Sequence, residues 1–324
     1  MLGWETFLTA LYVMVDDFCH TVPPVRRPGP APALSRSEVL TLALFARFRR
    51  FAGERDFYRW ATEHLRTAFP QLPDRTQYNR QVRRYEGELA ALALHLAREM
   101  RATHSAFEAL DRTAAPVRNS KRRGRGWLPG QADFGMSNRS GWFFGFSILL
   151  AVQPEGIITG WGFGSGSAKD QPLAEAFFAA RAERGAMRPP CDQRQELPGE
   201  PRVCLPSAGD PAERVYLADK GFQGRLRRWR EVYGAEVIAP PQNDQAAKHP
   251  WPKGLRKALA GMRQIVETAI EKLEHAFGLL DERPHTLGGF SARLAARAAL
   301  HNFCIWINRQ LGRAGLAFAD LVVW

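Results

Sequence analysis

Cysteine is scarce in this chain. Cys19, Cys191, Cys204 and Cys304 form no C-x-x-C pair and have no histidine at zinc-finger spacing, so neither a disulfide framework nor a structural zinc site is expected. Long apolar runs are also missing: Phe143 to Val152 is half of what a bilayer-crossing helix needs. The opening MLGWETFLTALYVMVDDFC lacks a basic stretch and is interrupted by Glu5, Asp16 and Asp17, so neither export nor membrane insertion is expected and a reducing cytosol is the natural compartment. No complete G-x-G-x-x-G register and no Gly-Lys-Ser or Gly-Lys-Thr loop occurs, which argues against a nucleotide cofactor. Lysine supplies only 7 of the 45 cations. The arginine bias suits bidentate phosphate contacts and fits a GC-rich coding genome equally well.

What is present is a chain of 324 residues, 45% hydrophobic, with a formal charge of +12. The length fits two domains of ordinary size, the composition supplies a real core, and the surplus of cations favours a polyanionic partner such as nucleic acid. Residues 1–104 read as all-helical. Leu8, Leu11, Tyr12 and Val15 recur at helical spacing before a proline-rich connector; Ser35 and Glu38 form a capping box ahead of VLTLALFARF; Gly53 is expected to close that helix. Glu54 to Phe69 reads as another helix, and a third starts at Asp74 and runs through QYNRQVRRYEGELAALALHLAREM. Its Arg80 and Arg84, four apart on one face, have the side-chain chemistry that reads base edges, so the region fits a helix-turn-helix-like DNA reader. A bundle with a solvated arginine face fits the same spacing equally.

Past residue 105, strands alternate with helices. AFEALD, GWFFGFSILLAV, GIITGWGFG, RVYLAD and AEVIAPP are strand candidates, with helices at Asp170 to Arg184, in FQGRLRRWREVYG, over Gly254 to Leu280, and in SARLAARAALHNFCIWINRQL. This order predicts an α/β sheet layered with helices over residues 105–312, with an insertion loop at 185–213 and a tail at 313–324. Three acids stand out by position. Asp111 is expected to end the first strand and Asp219 another, where strand C-termini open onto a ligand crevice; Glu267 flanks the apolar stripe of the long helix. Converging, they would make a site for two hard divalent cations suited to phosphodiester chemistry.

ALDRTAAPV, QADFGMSNRSGWFFGFSILLAVQPEGIITGWGFGSGSAKDQPL, YLADKGFQG, APPQND and MRQIVETAIEKLEHAFGL with AALHNFCIWIN resemble, in order and spacing, a DDE transposase of bacterial insertion sequences. The resemblance runs from about residue 105 to 310. VDDFCH, SRSEVLTLAL and ERDFYRW resemble the amino-terminal region of one such group. It implies a ribonuclease-H-like mixed sheet flanked by helices, in which Asp111, Asp219 and Glu267 hold two Mg2+ ions, with Mn2+ as a substitute. It further implies double-stranded DNA, at element ends and at the target, as partner, a homodimer on that DNA, and a place in the bacterial cytoplasm at the nucleoid. Arg263, one turn before Glu267, stands where the family carries an arginine for phosphate. The chain departs from the family at Glu274, where a lysine is common. That departure favours a second reading, a decayed or repurposed DNA-binding protein; a ribonuclease-H-like repair nuclease shares the acids and is a third.

Other residues carry weaker signals. Lys121, Arg122, Arg123 and Arg125, in KRRGRG, and Lys220, beside Asp219, are candidate DNA contacts. Asp170, two residues before Pro172, reads foremost as a helix cap, and Asp133 as a turn start. Trp127 and Trp142 are expected to be buried, with stacking on an unpaired base the less favoured role. His301 and Asn302 read as hydrogen-bonded core residues on an apolar helix.

Overall fold

The computed structural model describes residues 1–23, 32–48, 50–119, 128–137, 139, 141–182, 202–204, 214–242, 250–281 and 283–324, apart from the side chains of 103 and 202–204. The architecture is mixed α/β, a mixed sheet flanked by helices. The first region carries α1 (Trp4–Thr21), α2 (Arg36–Phe45), α3 (Glu54–His64), α4 (Arg75–Arg84) and α5 (Glu86–Glu99). The sheet region follows with β2 (Glu108–Arg118), β3 (Asp133–Ser137), β4 (Gly141–Val152), β5 (Ile158–Ser165), α6 (Asp170–Ala182), β6 (Arg202–Cys204), β7 (Arg214–Leu217), α7 (Leu226–Tyr233) and β8 (Ala235–Ile238). Two long helices close it, α8 (Lys253–His275) and α9 (Leu287–Gln310). A small parallel pair, β1 (Leu2–Gly3) with β9 (Val322–Val323), joins the tail to the first helix. Among the described residues, no helix is long and apolar enough to cross a membrane.

Local chemistry accounts for several boundaries. Ser35 and Glu38 make the reciprocal capping box at α2, and Asp74 caps α4 by accepting from the amides of Thr76 at 2.7 Å and Gln77 at 3.0 Å. Other boundaries differ from the sequence expectation. Helix α2 stops at Phe45, and Gly53, in an extended conformation, precedes α3 instead of closing α2; α3 itself ends at His64, before Pro70. The helix expected from Asp74 onward divides at Tyr85 (φ −99°, ψ 23°). The division lets α4 turn Tyr78 onto Phe57 and Tyr58 while α5 lies along α9. Four strands were not anticipated: the short pair β1 and β9; β3, a hairpin partner of β4; and β6, which lies within the 185–213 segment and pairs with β5 at the sheet edge. The other residues of that segment, 185–201 and 205–213, lie outside the described residues.

The seven-stranded sheet has the order β6-β5-β4-β2-β7-β8, with β3 attached to β4. Strand β4 runs antiparallel to β2 and β5, whereas β7 and β8 run parallel to β2. Each face is covered. Leu110, Leu149 and Ala151 pack with Phe177 and Phe178 of α6 and Trp229 of α7, while Ala109, Ile148 and Leu150 face the side of α5, α8 and α9. The second core runs without interruption into residues 1–104, through Phe7, Phe45, Phe57 and Leu89. Helix α9 sits between the helical region and the sheet, with residues on all its faces buried. Asn302, fully buried, donates Nδ2 to the carbonyls of Ala93 (α5) and Ile158 (β5), both at 2.9 Å, and accepts from the Ile158 amide at 3.0 Å. His301 next to it is held by burial at a pKa of about 4, with Nε2 2.9 Å from the Gly156 carbonyl.

Replacing Asn302 by leucine would remove three hydrogen bonds to buried backbone groups of α5 and β5. Asn302→Leu is expected to lower the unfolding free energy by about 3 kcal/mol or more. Urea denaturation measures it, and a loss below about 1 kcal/mol would show that the amide does not join α5 to β5.

Candidate active site

The acids gather where one parallel strand ends beside another that continues. Strand β7 pairs with β2 through Glu108↔Tyr216 and Ala109↔Leu217, and it stops at Leu217. Continuing the same register sets Asp219 level with Asp111. This corrects the sequence expectation for Asp111, which does not end its strand: β2 runs on to Arg118 because β4 keeps pairing with it. At Asp111 the pairing of β2 with β7 has already ended. The order also reverses at this point, with antiparallel strands on one side of β2 and parallel ones on the other, and such switch points are where open α/β sheets bind ligands.

Each acid is held differently. Asp111 accepts from the Arg112 amide at 2.8 Å through Oδ1, and its Oδ2 is 3.7 Å from Arg263 Nη2. Asp219 accepts from the Gly221 amide at 2.8 Å, capping the short turn Lys220–Phe222. Glu267 projects from α8, exposed at residue level but near enough to act on Asp111. Burial, followed by the negative charges of Asp219 and Glu267, raises the Asp111 carboxyl to about 6 against the opposing pull of the Arg112 amide and Arg263. The three acids named from the sequence are therefore electrostatic neighbours. Arg263 pairs with Asp111, a partner not named for it from its spacing to Glu267.

A fourth acid joins them. Asp170, expected mainly as a helix cap, stands first in α6 and pairs with the Arg112 guanidinium, which also donates to Ser147 Oγ at 3.0 Å and the Ala168 carbonyl at 3.3 Å. Burial raises its pKa, and Asp219 adds to the rise while Arg112 opposes it. A Cβ built on Gly221 would lie 2.5 Å from Asp170 Oδ2 and 3.0 Å from Asp219 Oδ1, so glycine leaves room for both carboxylates. The adjacency of Arg112 to Asp111 was visible in the sequence, but the long-range pairing with Asp170 was not.

Beyond Arg112 opens a cavity of about 680 Å3 lined by Phe134, Trp142, Lys169, Asp170 and Arg225 among others. Trp142, expected to be buried, is 71% exposed, because β3 and β4 run past the body of the sheet at this end. Lys220 is exposed beside Asp219, and Arg80 and Arg84 are exposed on α4 opposite its buried Tyr78 and Val82. Lys121, Arg122, Arg123, Arg125 and Trp127 lie outside the described residues. Glu274 faces inward, 2% exposed, accepting from Thr113 Oγ1 at 2.8 Å.

Carboxylate oxygens are the ligands that hard divalent cations take, and a cation would offset the burial, and the smaller repulsion from Asp219 and Glu267, that raise Asp111. Among the described residues, however, no three His, Cys, Asp or Glu side chains form a group that could hold an ion as they stand. No family model, curated protein or solved structure matches the chain.

The Asp111 shift has a stability consequence with a definite sign. Its folded pKa lies above the unfolded value of 3.8, so the native state holds this proton more tightly; the term favours folding below about pH 4 and is lost as the pH rises through 6. Asp111→Asn is therefore expected to stabilise the protein at pH 8 by about 3 kcal/mol, with the gain vanishing near pH 4. Urea unfolding at the two pH values checks this; equal effects at both would mean that the charged Asp111 is not penalised by its burial.

Proposed function

We propose that the chain is a transposase of the DDE type, which cuts DNA at the ends of an insertion sequence and joins them to target DNA. The observation that supports this reading is that the buried Asp111, beside the end of β7, lies 3.7 Å from Arg263 and within electrostatic reach of Asp219 and Glu267. The ribonuclease-H-like form of the fold is supported by a central β2 with β4 and β5 on one side and the parallel β7 and β8 on the other. The protein would work in the bacterial cytoplasm, at the nucleoid, as a homodimer holding two DNA ends.

In this reading Asp111, Asp219 and Glu267 would hold two Mg2+ ions, or Mn2+ in their place, and such ions would supply charge neutralisation and a more acidic water. The chain's own groups do the positioning. The Gly221 amide fixes one oxygen of Asp219, and the Arg112 amide fixes one of Asp111. Arg263 brings a guanidinium to the acids, and Lys220 stands exposed beside them to meet the DNA backbone. Cleavage adds water across a phosphodiester, and its 3′ oxygen leaves as a hydroxyl. In strand transfer that hydroxyl attacks a target phosphodiester; a new P–O bond forms and the target's own 3′ oxygen departs. Arg80 and Arg84 on α4, with the basic segment at residues 121–125, would hold the DNA on either side.

The test incubates the purified protein with the DNA flanking its gene, in Mg2+ and in EDTA, beside Asp219→Asn. Metal-dependent cuts at defined borders are expected, reduced at least about a hundredfold in the variant while salt-sensitive binding persists. Binding without cutting by the unaltered protein would favour a DNA-binding protein derived from a transposase, and cutting without regard to end sequence a repair nuclease.

A further inference from the structure

Glu274 lies outside the acid set, yet it is the most deeply buried carboxylate on α8 and both its oxygens are engaged. Oε1 accepts from Thr113 Oγ1 at 2.8 Å, and Oε2 is 3.2 Å from Arg139 Nη1. A carboxylate with 1% of its side chain exposed is tolerated only with such partners. Thr113 is two residues beyond Asp111, on the same face of β2, about 7 Å along the strand. Glu274 is about two helical turns beyond Glu267, and Arg263, Glu267 and Glu274 follow one edge of α8. The helix is thus tied to β2 at two points, Arg263 to Asp111 and Glu274 to Thr113. The first is a 3.7 Å ion contact between partly exposed groups, whereas the second is a short hydrogen bond inside the core.

We propose that Glu274 is a positioning residue: through Thr113 it sets the register of α8 on β2, and so holds Glu267 and Arg263 opposite Asp111, while Arg139 supplies the charge that keeps this carboxylate stable in the core. A slide or rotation of α8 would carry Glu267 away from Asp111, and the Thr113 bond opposes both. Glu274 then does not mark a decayed site. Lysine at 274 would set an ammonium against Arg139 in a buried place, so Glu274→Lys by itself damages the protein. The catalytic part of this inference rests on the proposed function; the clamp itself does not.

The experiment separates the two. Amide hydrogen exchange over residues 263–274 and urea unfolding are measured for the unaltered chain, Thr113→Val, Thr113→Ser, Glu274→Gln and the double variant Thr113→Val/Glu274→Gln. The clamp predicts faster exchange over 263–274 in Thr113→Val, little change in Thr113→Ser, which keeps the hydroxyl, and non-additive unfolding in the double variant. Unchanged exchange in Thr113→Val, or additive unfolding, overturns it. Glu274→Lys is expected to lose the folded state and Arg139→Glu in the same chain to restore it; no restoration counts against the role given to Arg139. For cleavage, Thr113→Val is expected to keep its KM and lose about tenfold to a hundredfold in kcat, with Thr113→Ser near normal. An unchanged kcat alongside faster exchange overturns the positioning role. An unaltered chain that cuts no DNA overturns the transposase reading, and exchange still decides the clamp.

Discussion

The structure depends on a helix that has no solvent face. Helix α9 is surrounded by the amino-terminal helices on one side and the sheet on the other, so its apolar residues belong to both layers at once. Hydrophobic burial alone would allow such a helix to slide, since apolar contact has little direction. Asn302 removes that freedom by bonding to α5 and β5 together. Because unmet backbone groups in a dry core are costly, one amide fixes how the helical region sits on the sheet. The aromatic cluster of Phe45, Phe48, Phe51, Trp60 and Trp324 then draws the tail onto the same assembly.

Interior charge is handled in two ways three residues apart on β2. Glu108 is fully enclosed; burial alone would raise its pKa, but the Arg181 and Arg214 guanidinium groups beside it hold it below the usual carboxylate range. That acid is balanced. Around Asp111, Arg112 pairs with Asp170 and Arg263 with Asp111, yet Asp111 and Asp170 are still driven upward, first by burial and then by the neighbouring acids. The same fold therefore contains one buried acid compensated by two arginines and, close by, two acids whose burial is not fully compensated. Stability does not require the second arrangement, and strained titratable groups in a crevice are where function concentrates.

Much of the scaffold was legible locally. The box at Ser35 and Glu38, the cap at Asp74 and the apolar stripe through Val266, Ile270 and Leu273 named helices that are present, and the run Phe143 to Val152 named a strand enclosed on both faces. Where local signals were silent or misleading, packing decided. Between residues 74 and 99 only Gly87 hints at a break, and the division at Tyr85 lets the two helices meet different partners. Gly53 looked like a terminator and instead introduces the next helix, because α2 had already ended at Phe45. The length of β2 depended on the pairing of β4, which a scan of residues 106–111 does not contain.

The acids divide along the same line. The sequence by itself determined that Asp111 lies on a strand, Glu267 on a helix and Asp219 at the exit of another strand, two residues past its last paired residue, in an α/β chain with a large cationic surplus, because periodicity and turn chemistry act within a few residues. Only the tertiary structure decided that Asp219 stops level with Asp111, that Asp170 is drawn beside it by Arg112, and that Glu274 turns into the core toward Thr113 and Arg139. Those outcomes join residues far apart in the chain. They are set by strand register, helix crossing and the cost of leaving a buried charge alone, and none of these is expressed in any short stretch of sequence.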